Sequence, residues 1–160
     1  MDLTFQTPEG RFNYRVGALI YHKGRLLAAR NDEAPYCYSV GGRVKYGESS
    51  TEAVAREVFE ETGVRLKPVR PVFMQEQFFT EQVTGERFHE IGVYWLMEDS
   101  PDLDRIVCRS VTERGVAEEM FWLDPARAEE SGFVPKSIAR RLMDLPEVLT
   151  PVVERDGEGS

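Results

Sequence analysis

Arg56, Glu57, Glu60 and Glu61 crowd three carboxylates and a guanidinium into residues 56–61. Gly42 and Glu48 precede them and Gly63 follows, giving the spacing G-x5-E-x7-R-E-x-x-E-E-x-G. Clustered carboxylates are hard oxygen donors suited to Mg²⁺ or Mn²⁺. A cation held there could neutralise a diphosphate and align a water against it. On a helix, Glu57, Glu60 and Glu61 fall within an arc of roughly 100°. Each like-charge pair at i, i+3 or i, i+4 costs about 0.2–0.5 kcal/mol. Positions 53 and 64, Ala and Val, supply no compensating cation. Arg56 is expected to reach Glu52 or Glu60, not the whole cluster. A solvated acidic helix face is the simplest account of a charge run, but it leaves the glycines and the Arg56-Glu57 pair unexplained.

The element that must carry these groups is a helix over about 49–62. Ser49 is an N-cap candidate, Glu52 completes a capping box, and Gly63 is a C-terminal stop. Val54, Ala55, Val58 and Phe59 form an apolar arc expected to face the core. Ahead of the helix, 14–22 reads as a strand, Lys23-Gly24 as a turn and 25–30 as the returning strand. A short strand at Tyr38–Val40 leads into Gly41-Gly42. Residues 72–79 and 87–97 read as a strand pair around Val83-Thr84-Gly85. The stretch 98–111 is polar and carries no clear signal. Residues 119–123 read as a strand, and a helix is expected from Pro135 to about Leu145, packing Ile138, Leu142 and Leu145 on the sheet.

At 160 residues the chain has the length of one domain. We place that domain at 1–150 and expect 151–160 to be a disordered polar tail. The net charge of −8 disfavours nonspecific nucleic-acid binding and attachment to an anionic membrane. It does not exclude an anionic substrate, because a bound cation inverts the local field. Cys37 and Cys108 lack metal-type spacing and fit a reduced compartment. With no signal-type or membrane-length apolar run, a cytoplasmic location is expected.

The 42–64 segment resembles the Nudix box, with every fixed position filled, including apolar Val58 and Val64. The order of elements from Tyr14 to Leu145 is similar to the Nudix (MutT-like) hydrolase fold. That fold is α/β, a mixed β-sheet sandwiched between α-helices. The resemblance implies a metal-dependent pyrophosphohydrolase that cleaves the P–O–P bond of a small nucleoside diphosphate-linked substrate. It implies Glu57, Glu60 and Glu61 as ligands to Mg²⁺ or Mn²⁺, with a backbone carbonyl of Gly41 or Gly42. One of these glutamates, or a carboxylate outside the box, would be the base. Arg56 and Glu48 would hold the site together. A homodimer is also expected, since such proteins often pair.

Around the box, Arg15, Arg30, Arg43 and Lys45 could bind phosphate. Glu118 and Glu119 could add a carboxylate, although exposed loop charges are the commoner case. Tyr46, Phe78, Phe79 and Phe88 could stack on a base, although such aromatics are more often core. His22, beside a turn, is expected to be exposed, while His89 could line a pocket or be structural. Two alternatives remain: pyrophosphate removal from RNA 5′ ends, which needs a basic groove, and a non-catalytic nucleotide sensor, which would have lost box carboxylates. No signature names the particular substrate.

Overall fold

The computed structural model describes residues 1–106, 109–111 and 117–156. Ten strands occur in it: β1 (Thr4–Gln6), β2 (Arg11–Leu19), β3 (Tyr21–His22), β4 (Arg25–Asn31), β5 (Cys37–Arg43), β6 (Pro68–Thr80), β7 (Arg87–Met97), β8 (Arg109–Val111), β9 (Ala117–Leu123) and β10 (Thr150–Arg155). Helix α1 (Ser50–Thr62) lies between β5 and β6, and α2 (Lys136–Ala139) between β9 and β10. Short 3₁₀ turns occupy Pro101–Arg105 and Pro125–Arg127.

The sheet order is β10-β6-β7-β2-β5-β4-β9-β8, with β1 on β2 and β3 on β4. It is mixed: β2 runs parallel to β7, β10 runs parallel to β6, and the other pairings are antiparallel. Strand β5 is the joint. Its Val40, Gly41, Gly42 and Arg43 pair with β2, whereas Cys37, Tyr38 and Ser39 pair with β4.

Alternation sends side chains into two cores. Val16, Ala18, Leu27, Ala29 and Val40 pack on the α1 side with Val54 and Val58. Leu19, Leu26, Ala28 and Cys37 pack on the other side with Phe133, Ile138 and Leu142. This explains why 26–29, Leu-Leu-Ala-Ala, is a continuous apolar run, since a strand covered on both faces has no solvent side.

Several sequence expectations are corrected. The strand expected at 14–22 starts earlier and divides into β2 and β3 at Ile20. The helix expected to reach Leu145 is α-helical only over Lys136–Ala139. Side chains take later carbonyls there: the Tyr21 hydroxyl donates to Leu142 O at 2.7 Å and Arg70 to Pro146 O at 2.8 Å. The expected tail from 151 begins instead as β10, which pairs with β6 and turns Val152 onto the core. Residues 157–160 and Cys108 lie outside the described residues. Cys37 is buried and free. His22 is not exposed: at 9% exposure it lies 2.7 Å from Asp99 and 2.8 Å from Asp104. Among the described residues no helix is long and apolar enough to cross a membrane.

Helix α1 is bounded as its sequence predicts. The Ser49 hydroxyl accepts from Glu52 N at 3.2 Å, and Gly63 closes the helix at φ 76° with its N–H on Phe59 O. The buried face, however, is Ala53, Val54, Val58 and Thr62. Phe59 remains 39% exposed beneath the Arg65 guanidinium, 4.1 Å from its ring centre. Removing the cap by Ser49→Ala should cost about 1 kcal/mol. A thermal melt is expected to shift down by about 2–4 °C.

Candidate active site

The centre of the site is one guanidinium. Arg56 Nε donates to Glu48 Oε2 at 3.0 Å and Nη2 to Glu48 Oε1 at 2.6 Å, a two-pronged pair. Nη1 donates to Glu57 Oε1 at 2.8 Å and to Glu60 Oε2 at 3.2 Å. Nη2 also donates to the carbonyl of Arg43 at 3.0 Å. Glu48 in turn accepts the Lys45 N–H at 2.8 Å. Arg56 therefore reaches further than its helix spacing suggests, because the chain folds the 43–48 loop over the helix. Glu48 holds Arg56 well above its ordinary value, and Arg56 holds Glu48 below the usual carboxylate range.

Gly42 is explained by Glu57. A Cβ at position 42 would lie 2.5 and 2.6 Å from the two Glu57 carboxylate oxygens. The glutamate thus rests directly on the β5 backbone, where only glycine leaves room. Glu57 and Glu61 are half-buried. Burial raises the Glu57 carboxyl against the opposing pull of Arg56. Burial pushes Glu61 up to about 8, with Glu118 and Glu57 adding repulsion and Arg15 and the Gly41 backbone opposing. Glu60 differs: it is 51% exposed and tied to Arg56 across one helical turn.

Arg15, on β2, lies within electrostatic reach of Glu57 and Glu61. It is half-buried and forms no hydrogen bond or ion pair with another described residue. Burial opposes its charge, yet Glu90, Tyr94, Glu61 and Glu57 together keep its pKa above the ordinary arginine value. Arg43 is its register partner on β5, on the same face of the sheet. Arg30 is more exposed, 4.4 Å from the Phe121 ring centre and 3.5 Å from Glu119. Glu118 lies within β9 rather than before it, and its Oε2 accepts the Tyr38 hydroxyl at 2.8 Å. Glu119 pairs instead with Arg30.

The aromatic candidates lie elsewhere. Phe78, Phe79, Phe88 and His89 line a cleft of about 780 Å³ at the β6–β7 tip, which contains none of the box residues. Phe88 is four register positions along β7 from Gly92, the partner of Arg15. Tyr46 is 78% exposed. Sequence inspection passed over Tyr38, Asn13 and Glu90. Asn13 and Glu90 carried one available signal, polar residues at inward positions of otherwise apolar strands.

Several features suit a divalent cation. The donors are carboxylate and carbonyl oxygens, Gly42 leaves room for Glu57, and burial raises the pKa values of both Glu57 and Glu61, with neighbouring carboxylates adding to it. Among the described residues no three acidic side chains already converge on one point.

A mixed sheet between helices, carrying a glycine-backed glutamate helix, defines the Nudix class of hydrolase. The NUDIX domain family model matches residues 11–143, and the chain belongs to that family. It is a hydrolase of pyrophosphate bonds. Solved structures share the fold. A MutT protein from Methanosarcina mazei Go1 is 22% identical with a TM-score of 0.64, covering 86% of this chain and 96% of that one. A mutator MutT protein from Bacillus halodurans is 15% identical with a TM-score of 0.61, covering 90% and 91%. The E. coli ORF135 protein is 21% identical with a TM-score of 0.56, covering 82% and 89%.

The raised Glu61 value has a definite sign. Its stabilising contribution is present at low pH and is lost as the pH rises from about 4.5 to about 8. Metal-free protein should therefore lose stability across that window, and Glu61→Gln should flatten the loss in melts taken against pH. Adding Mg²⁺ or Mn²⁺ at pH 8 should raise Tm. Gly42→Ala should shrink that rise by displacing Glu57.

Proposed function

We propose that the protein is a metal-dependent pyrophosphohydrolase that cleaves the P–O–P bond of a small nucleoside diphosphate-linked substrate. One observation carries this: two half-buried carboxylates, Glu57 and Glu61, lie within electrostatic reach of Arg15, which has no ion-pair partner among the described residues. Such an arrangement accommodates a cation on the carboxylates and an anion on the arginine.

Glu57, Glu60 and Glu61, with a backbone carbonyl of Gly41 or Gly42, would hold Mg²⁺ or Mn²⁺. The ion, when bound, neutralises diphosphate charge and lowers the pKa of an attached water. Arg56 and Glu48 fix the helix against the loop, so that Glu57 keeps its place over Gly42. Arg15 and Arg43 take phosphate oxygens from the sheet side, and Arg30 extends the same face. Glu118, oriented by Tyr38, is a carboxylate from outside the box within electrostatic reach of Glu61. It joins the box glutamates as a candidate base.

The test is product release from nucleoside di- and triphosphates, nucleotide sugars, ADP-ribose and dinucleoside polyphosphates, with Mg²⁺, Mn²⁺ or chelator. Metal-dependent cleavage is expected, with Glu61→Gln reducing kcat at least a hundredfold at unchanged fold. Silence on every substrate, or full activity of Glu57→Gln and Glu61→Gln alike, would refute the assignment. Cleavage only of triphosphorylated RNA, weakening steeply with salt, would favour RNA 5′ ends instead. Arg56→Lys keeps the charge but loses the fork. It should lower both kcat and stability, the latter by about 1.5–3 kcal/mol for charged hydrogen bonds lost.

A further inference from the structure

Next to Arg15 the sheet buries polar groups that the chain itself does not satisfy. Asn13 lies two residues before Arg15 on β2, so both side chains project from the same face. Glu90 on β7 is the register partner of Asn13. Both are nearly inaccessible, at 3% and 6% exposure. The Asn13 amide donates Nδ2 to Glu90 Oε2 at 2.7 Å. With the amide nitrogen on Glu90, the amide oxygen faces away. That oxygen, Asn13 Oδ1, is buried with no partner. The other Glu90 oxygen, unlike Asn13 Oδ1, is not one of the enclosed unpaired atoms.

A buried acceptor without a donor costs about 1–3 kcal/mol. The orphan Asn13 oxygen and the Glu90 carboxylate, beside an arginine with no ion pair among the described residues, form a wall with one missing complement. Gly92, the β7 partner of Arg15, adds no side chain between them, and the Gln75 amide covers that glycine. The Asn13 oxygen and the Glu90 carboxylate call for hydrogen-bond donors, whereas Arg15 calls for an anion.

We propose that Asn13 and Glu90 form a specificity subsite that reads donor groups, hydroxyl or amino, on the organic part of a phosphate ester whose phosphate Arg15 holds. This rests on the phosphate role given to Arg15 above and adds which chemistry the substrate carries beside its phosphate. A group without donors at this place would leave Asn13 Oδ1 buried and unpaired. It would be discriminated against for the same reason that sites built to hydrogen-bond a hydroxyl reject the analogue lacking it.

The test is direct binding, by calorimetry on metal-free protein, of inorganic pyrophosphate, ribose 5-phosphate, AMP, 2′-deoxy-AMP, UMP and methyl phosphate. Wild type, Asn13→Ala and Glu90→Gln are compared, with folding checked by melting. The measure is the ratio of affinities for a donor-bearing ester and for methyl phosphate within each protein, so partial unfolding cancels. Wild type should favour a donor-bearing ester by tenfold or more, and both variants should erase that preference while keeping pyrophosphate binding. Retention with ribose 5-phosphate assigns the donors to sugar hydroxyls. Restriction to AMP and 2′-deoxy-AMP over UMP assigns them to an exocyclic amine. An equal loss for all probes, or an unchanged ratio, overturns the subsite. If metal-dependent turnover persists in that case, the pyrophosphohydrolase assignment stands without it. Absence of binding to every probe by wild type overturns the subsite together with the role of Arg15.

Discussion

The arrangement of the site depends on the pair between Arg56 and Glu48. A helix bearing several glutamates on one face repels itself, and a glycine loop has no stiffness of its own. The guanidinium resolves both problems. Its fork fixes Glu48 in the loop, its remaining N–H groups take Glu57, Glu60 and the Arg43 carbonyl, and Glu48 secures the Lys45 amide. The loop and helix become one rigid unit, and the position of Glu57 above Gly42 follows from it. A lysine could supply the charge but not the planar geometry.

What remains after that pairing is uneven by design of the packing. Arg56 quiets Glu48 and one side of Glu57, yet burial still raises Glu57 and lifts Glu61 to about 8. These carboxylates are short of positive charge in a place where solvent does not supply it. A cation that binds there gains their attraction and removes their mutual repulsion. On the sheet side the imbalance is reversed, since Arg15 is held charged by surrounding acids at longer range and has no ion-pair partner among the described residues. The two imbalances lie within electrostatic reach of one another, as the proposed site for a metal with a phosphorylated ligand requires.

The sheet brings these halves together through β5. One end of that strand pairs with β2 and so carries Arg15, and the other pairs with β4 and so carries Tyr38 toward β9 and Glu118. Gly41 and Gly42 stand where the chain passes from sheet to site. A Cβ on Gly41 would strike the Val16 carbonyl, and one on Gly42 would strike Glu57. The glycines are therefore demanded by close approach rather than by turn geometry.

By itself the sequence determined the helix, its caps, the box spacing and the family, because these depend on residues near one another in the chain. Ser49 and Gly63 act within one turn of the helix they bound, and glutamate spacing translates directly into a helix face. It also singled out Arg15 and Glu118, although it set Glu118 ahead of the strand that in fact carries it. Tertiary structure alone decided which of them meet. The pairing of Asn13 with Glu90 joins residues 77 apart, and that of Tyr38 with Glu118 joins residues 80 apart. No local pattern encodes such pairs. The same holds for β10, whose polar residues gave no strand signal until β6 offered a free edge, and for the stacked aromatics, which register carried to the β6–β7 tip and away from the glutamates. Local physics wrote the helix into the chain, and the order of strands in the sheet chose its neighbours.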